Sequence, residues 1–131
     1  HSPTFFAMGA YSVTGNRNTL IGAVMSCAKD IKEAYELMFD ELIKFFEQNT
    51  RYSITRLDDW GCTLEGVSMK YVAEALGKNH LGNEHICSLK CGFFASVPLY
   101  INQPMAQVTE TQCVHRGDAA CRYEITFKSK T

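Results

Sequence analysis

The sequence lacks an excess of charge of either sign. It carries 13 Lys+Arg against 14 Asp+Glu, which leaves a formal net charge of −1 at pH 7. A chain without a positive field does not attract phosphate backbones or anionic lipid from a distance. The most basic stretch is a short tail with Lys128 and Lys130, which is too small to form a binding patch. We therefore expect neither a nucleic-acid partner nor a membrane-surface partner.

Long hydrophobic runs are also missing. The longest apolar stretch, around Phe93–Ile101, is far shorter than the roughly 20 residues that cross a bilayer. The chain does not open on an apolar run followed by a small-residue cleavage site, as a secretory leader does. We expect a cytoplasmic protein with no membrane partner.

The familiar catalytic motifs are absent from the sequence. It has no Gly-rich dinucleotide loop, no His-Glu zinc-deaminase signature and no nucleophile elbow. Three acids, Asp58, Asp59 and Glu65, fall in a predicted hairpin, where solvated acids are common. The sequence therefore predicts a protein that is not an enzyme.

The chain contains enough apolar residues to form one hydrophobic core. Its 131 residues are 46% hydrophobic, which predicts a single domain over residues 1–131. The first residue is not methionine, and the end at Lys128–Thr131 resembles a cut. We therefore expect this domain to be a fragment of a longer protein.

Three stretches have helical character. Apolar residues recur at helical spacing over Leu20–Glu47, with a break expected near Lys29-Asp30. A second helix is predicted from Ser68 to Gly77, and a third from Glu84 to Tyr100, which Pro98 kinks or shortens.

The remaining stretches have strand character. Phe5–Val13 reads as a short apolar strand or entry segment. Arg51–Leu57 and Cys62–Val67 flank a turn and predict one hairpin, and Met105–Val114 and Ala120–Phe127 predict a closing hairpin. This order predicts an α+β fold in which helices pack on an antiparallel sheet.

Cysteine is enriched, with six residues at Cys27, Cys62, Cys87, Cys91, Cys113 and Cys121. Without a secretory leader, this number indicates metal binding or free thiols rather than disulfides. Cys27 and Cys62 have no partner pattern and read as small hydrophobic residues.

The other cysteines suggest a metal site. Cys113 and Cys121 flank a tight turn, Glu110 precedes them on the same strand, and Cys87 begins the preceding helix. Three thiolates and a carboxylate suit Zn²⁺. Glu110 and Cys113 are an odd number of residues apart, so a bulge or strand end must lie between them. Buried free thiols remain an equal alternative on chemistry alone, and Cys91 competes with Cys87 because it lies one helical turn away.

The same segment resembles the 4-vinyl reductase domain, a family of small-molecule-binding domains. The resemblance covers the last 45 residues or so and rests on Cys87, on Glu110-x-x-Cys113 and on the Gly117-Asp118-x-x-Cys121 turn. It implies that Cys87, Glu110, Cys113 and Cys121 hold a structural zinc ion that clips the closing hairpin to the helix. The family's spacing favours Cys87 over Cys91.

The resemblance also implies a sensory domain that binds a small apolar or aromatic molecule. In phenol-responsive members a Trp directly before a Glu contacts the ligand, whereas here that pair is Leu64-Glu65, so the phenol clamp is absent. The pocket is predicted to be lined by aromatic, Met and aliphatic side chains, namely Tyr35, Met38, Phe39, Leu42, Phe46, Trp60, Phe93, Phe94 and Val97. Ordinary core is the competing interpretation of this set.

Three functions follow from this resemblance. The leading hypothesis is a homodimeric sensor coupled to a covalently attached signalling or transcription output domain. The alternatives are a homodimerising interaction module without a ligand, because the fold resembles vesicle-tethering subunits, and a reductase-like enzyme domain, after which the family is named.

Overall fold

A computed structural model describes residues 2–68, 74–77 and 84–128 of the chain. In these ranges, helices accompany a four-stranded antiparallel sheet, which confirms the predicted α+β class. The helix predicted over Ser68–Gly77 lies largely outside the described residues. Within them, no helix is long and apolar enough to cross a membrane.

The chain begins with helix α1 (Pro3–Asn16), so the strand predicted over Phe5–Val13 was wrong. The Ser2 side chain accepts a hydrogen bond from the Phe5 N–H, and Pro3 occupies the first turn. An N-cap serine followed by proline favours a helix start, because proline has no N–H to leave unpaired there. These start signals outweigh the apolar run that suggested a strand.

The helical region over residues 20–47 is confirmed, and so is its break near Lys29-Asp30. It comprises α2 (Leu20–Met25), α3 (Ile31–Glu36), a π-helical turn (Leu37–Glu41) and a 3-10 turn (Leu42–Phe45). Thr19 and Asp30 cap the first two segments, each accepting a hydrogen bond from a backbone N–H in the first turn. Each cap restarts a helix, so the region is several short segments rather than one rod.

The strands are β1 (Thr50–Leu57), β2 (Gly61–Ser68), β3 (Gln107–Gln112) and β4 (Cys121–Thr126), arranged in the order β1-β2-β4-β3. β1 pairs with β2 as the sequence predicted, and β4 pairs with both β2 and β3. Cys121, Tyr123 and Ile125 of β4 are buried and alternate with more exposed residues. This alternation places one face of β4 against the core.

Helix α4 (Glu84–Ser96) contacts both α1 and the strands β3 and β4. The helix predicted from Glu84 to Tyr100 is shortened as expected, because a 3-10 segment containing Pro98 follows it (Val97–Ile101). The α4 residue Phe94 is fully buried, and its carbonyl accepts a hydrogen bond from the buried Tyr35 hydroxyl. Helix α4 therefore links the helical half to the sheet.

Candidate functional site

Four side chains that the sequence singled out converge at one end of the sheet. The ligand atoms of Cys87, Glu110, Cys113 and Cys121 all lie within 4.8 Å of one another. We call these four residues the thiol–carboxylate cluster. The Sγ atoms of Cys87 and Cys113 are 3.6 Å apart, and all three thiols are buried.

The local fold explains how these residues meet. A register shift between Glu110 and Gln112 interrupts the pairing of β3 with β4. An irregularity was expected here, because Glu110 and Cys113 are an odd number of residues apart and a regular strand would point them to opposite faces. After β3, the Asp118 carboxylate accepts a hydrogen bond from the Cys113 N–H at 2.8 Å, and Gly117 takes a φ of 98°. That left-handed conformation suits glycine and turns the chain back toward Cys121.

One of the two carboxylate oxygens of Glu110, the acid in the cluster, has no hydrogen-bond partner among the described residues. The Glu110 side chain is 4% exposed, and its Oε1 atom lies 3.5 Å from the Arg116 guanidinium. Its Oε2 atom is buried and has no hydrogen-bond partner among the described residues. A buried carboxylate oxygen without a partner is costly, and a bound cation would remove that cost.

The thiols influence one another's protonation. The Cys87 thiol donates a hydrogen bond to Cys121, and this bond lowers the pKa of Cys121 to about 6. The same bond, followed by burial, raises the pKa of Cys87. Burial likewise raises the pKa of Cys113. The lowered pKa of Cys121 favours its thiolate, which is the form of cysteine that binds metals.

The cluster fits a tetrahedral ion. Two sulfurs bound to Zn²⁺ at about 2.3 Å stand about 3.8 Å apart in a tetrahedral shell, which is close to the 3.6 Å between Cys87 and Cys113. The donor set of three thiols and one carboxylate is also acceptable to Zn²⁺. The four residues therefore form a group that can hold a metal ion.

The other cysteines lie outside this group. Cys91 and Cys62 are buried, and burial raises the pKa of each to about 12. Cys27 is exposed. In the part of the chain that the structure describes, the metal-capable group contains Cys87 and not its competitor Cys91.

An apolar groove of about 420 Å³ runs beside α4. Its lining is mainly aliphatic and aromatic, and it includes Ile21, Ile43, Phe46, Ile86, Leu89, Phe93, Phe94 and Tyr100. This size falls within the usual range for small-molecule sites. We call this feature the α4 groove.

The predicted ligand-binding residues lie in the α4 groove, in or against the core, and, for Trp60, in an exposed turn. Phe46, Phe93 and Phe94 line the α4 groove. Leu42 is half-buried and packs against the core, and the core itself contains Tyr35, Met38, Phe39 and Val97. Of these, Phe39 packs against the groove residues Phe93 and Phe94, and the Tyr35 hydroxyl donates a hydrogen bond to the Phe94 carbonyl.

Trp60 lies in the turn between β1 and β2 and is 81% exposed. Exposed side chains without buried contacts contribute little to stability. We expect Trp60→Ala to change the free energy of unfolding by less than about 0.5 kcal/mol and to leave ligand binding unchanged. Urea unfolding of the variant checks the first expectation, and a change above about 1 kcal/mol would contradict it.

Several residues that line the α4 groove or the cavity next to it were not foreseen from the sequence. Tyr52, Ile86, Lys90 and Tyr123 line cavities beside α4. A signal for Lys90 existed, because it is a charged residue set within the apolar stretch between Cys87 and Phe94. Strand tyrosines at inward positions carry no such signal, since they read as ordinary core.

Known structures share this fold. The phenol-responsive sensory domain of the transcription activator PoxR, solved with phenol, matches with a TM-score of 0.60 at 17% identity; the match covers 95% of this chain. It covers 63% of the PoxR chain. Subunit 3 of a trafficking protein particle complex from Naegleria fowleri, covalently bound to palmitic acid, matches with a TM-score of 0.63 at 12% identity and covers 96% of this chain and 76% of that one. No protein-family model and no curated protein matches the sequence. At these identities, the likeness establishes the fold.

Proposed function

We propose that this domain is a sensor that binds a small apolar or aromatic molecule in the α4 groove. The observation that carries the proposal is the apolar groove of about 420 Å³ beside α4, the helix that also supplies Cys87 to the thiol–carboxylate cluster. Both features lie along α4, which supplies Cys87 to the cluster and Phe93 to the groove. A change in the packing of α4 would therefore alter both the α4 groove and the thiol–carboxylate cluster.

We further propose that the cluster holds zinc in a structural role. Four protein ligands complete a tetrahedral shell and leave no open position for hydrolytic chemistry. The ligands come from α4 and from the β3–β4 region, which are distant in sequence. Binding a metal across such a gap stabilises the fold, because the unfolded chain cannot assemble the site.

The known structures support the choice of ligand class. One was solved with phenol and the other is bound to palmitic acid, and both molecules have apolar bodies. In this proposal, a ligand-driven shift of α4 is the input to a signalling or transcription output domain in a longer cytoplasmic protein. The domain, in this proposal, binds its ligand without turning it over.

Native mass spectrometry of the freshly purified protein tests this proposal. We expect a mass increment of one zinc ion and a co-purified organic molecule that is released on denaturation. Ile86→Trp should exclude that molecule, because Ile86 lines the groove and is 38% exposed, so the larger ring fills the groove from its edge. Leu20→Trp is the matched control, since Leu20 is 80% exposed and lies outside the groove lining.

A guest that is retained in Ile86→Trp would show that it binds elsewhere. Wild-type protein that carries no guest and also fails to bind an added aromatic probe such as phenol or naphthalene would contradict the sensor function.

An interaction module is the second candidate, favoured by an exposed apolar surface on α1 and α2. Met8, Tyr11 and Leu20 are 55%, 69% and 80% exposed. Met8 and Tyr11 lie together in one open depression on α1, and exposed large hydrophobic residues that lie together favour a protein interface, of which a homodimer is the simplest form. A monomeric native mass would count against this second candidate and leave the sensor proposal intact.

A further inference from the structure

A second cavity, of about 210 Å³, lies between the α4 groove and the thiol–carboxylate cluster. It shares Glu47, Tyr52, Ile86 and Lys90 with the groove, so the two spaces adjoin. Unlike the groove, it has a mixed lining that includes the Tyr123 side chain. We call it the polar chamber.

The Tyr123 hydroxyl is the first unusual feature of the polar chamber. Tyr123 is fully buried, and its ring packs edge-on against Phe94 with 4.9 Å between the ring centroids. Its hydroxyl is buried and has no hydrogen-bond partner in the part of the chain that the structure describes. Buried hydroxyls almost always find a partner, so an unpaired one beside a cavity indicates that a ligand atom completes it.

Lys90 supplies a positive charge to the same chamber. Its Nζ donates a hydrogen bond to the Thr50 hydroxyl at 3.2 Å and lies 5.4 Å from the centroid of the Tyr52 ring. Within residues 2–68, 74–77 and 84–128 it forms no ion pair with a carboxylate. A half-buried ammonium with no carboxylate of the described residues at ion-pair distance favours an anionic ligand group.

Glu47 limits how much negative charge the chamber accepts. Its carboxylate lines the chamber and accepts a hydrogen bond from the Asn49 N–H at 2.8 Å. One lysine facing one glutamate tolerates a single additional negative charge better than two. This argues for a carboxylate and against a doubly charged phosphate.

From these contacts we propose that the ligand is an amphipathic monocarboxylic acid, whose carboxylate accepts hydrogen bonds from Tyr123 Oη and Lys90 Nζ in the polar chamber. Its apolar body lies along the α4 groove. This inference rests on the proposed function and adds the residues that select the head group. The Tyr123 hydroxyl and the Lys90 ammonium are thus the groups that select the head group, whereas the Tyr123 ring packs in the core.

Calorimetric titration with decanoate and with decan-1-ol tests the inference, because the two probes share an apolar chain and differ in head group. We expect wild type to bind decanoate more tightly than decanol. Lys90→Met and Tyr123→Phe should each weaken decanoate binding about tenfold and leave decanol binding unchanged. Lys29→Met and Tyr11→Phe are matched controls at exposed positions outside the chamber, and they should bind both probes as wild type does.

Both variants are expected to fold. Methionine keeps the length of the lysine side chain, and Tyr123→Phe removes a hydroxyl that has no partner in the described protein, so its unfolding midpoint should not fall. Equal decanoate binding by wild type, Lys90→Met and Tyr123→Phe, with decanol still bound, would overturn the head-group assignment and leave the sensor function standing. If neither probe binds wild type, the assignment and the proposed apolar-ligand function fail together.

Discussion

Replacing Cys113 with serine is expected to lower the thermal unfolding midpoint of the zinc-loaded protein by about 15 °C. A metal present at a thousandfold excess over its dissociation constant adds about 4 kcal/mol to stability. For a chain of this length, each kcal/mol corresponds to about 4 °C. The serine hydroxyl does not replace a thiolate as a zinc ligand, so this contribution is lost. Thermal unfolding followed by circular dichroism, with and without a chelator, measures it.

The chelator separates metal loss from other effects of the substitution. It should lower the wild-type midpoint by a similar amount and leave the midpoint of Cys113→Ser unchanged. Cys91→Ser is the matched control, because both cysteines are 1% exposed but Cys91 lies outside the cluster. It should respond to the chelator as wild type does. A wild-type midpoint that does not move with chelator would exclude a stabilising metal.

Chain geometry predicted part of the cluster, and the resemblance to the 4-vinyl reductase domain implied the full set of four residues. Two cysteines across a tight turn must lie close, and the odd spacing from Glu110 to Cys113 demanded an irregularity, which the structure contains as a register shift. Choosing between Cys87 and Cys91 needed more than helical periodicity, since both are buried on α4. The spacing in the family that the chain resembles favoured Cys87, and the structure brings Cys87 into the cluster through the position of α4 relative to β4.

The groove and α1 were harder to predict, for different reasons. The start signals Ser2-Pro3 were present, but the apolar run after them reads equally well as a strand. The groove depends on which core side chains fall short of filling the space beside α4. Tyr35 and Phe93 have the same aromatic character in the sequence, yet one is sealed in the core and the other lines the groove. Three-dimensional packing determines which aromatic side chain is buried and which lines the groove, and the spacing of apolar residues in the sequence does not predict it.

The crossing of α1 and α4 gives the second large expected effect. Gly9 and Gly92 face each other's helix: a Cβ at Gly92 would lie 1.9 Å from the Phe6 carbonyl oxygen, and one at Gly9 would lie 1.8 Å from that of Leu89. No rotamer change relieves a clash with backbone, so the helices must separate. We expect Gly92→Ala to lower the free energy of unfolding by about 3 kcal/mol or more, measured by urea unfolding.

Gly15→Ala is a control that should change stability in the opposite direction. Gly15 also lies in α1, but a Cβ there would meet just the Tyr11 ring at 3.7 Å, an ordinary contact. Alanine in a helix is favoured over glycine by up to about 1 kcal/mol, so this variant should be slightly more stable than wild type. Since α4 carries both Cys87 and Lys90, Gly92→Ala should also weaken metal retention and decanoate binding together. If Gly92→Ala were as stable as wild type, the close backbone contact between α1 and α4 would not exist in solution. The conclusion that this contact positions Cys87 and Lys90 would then be wrong.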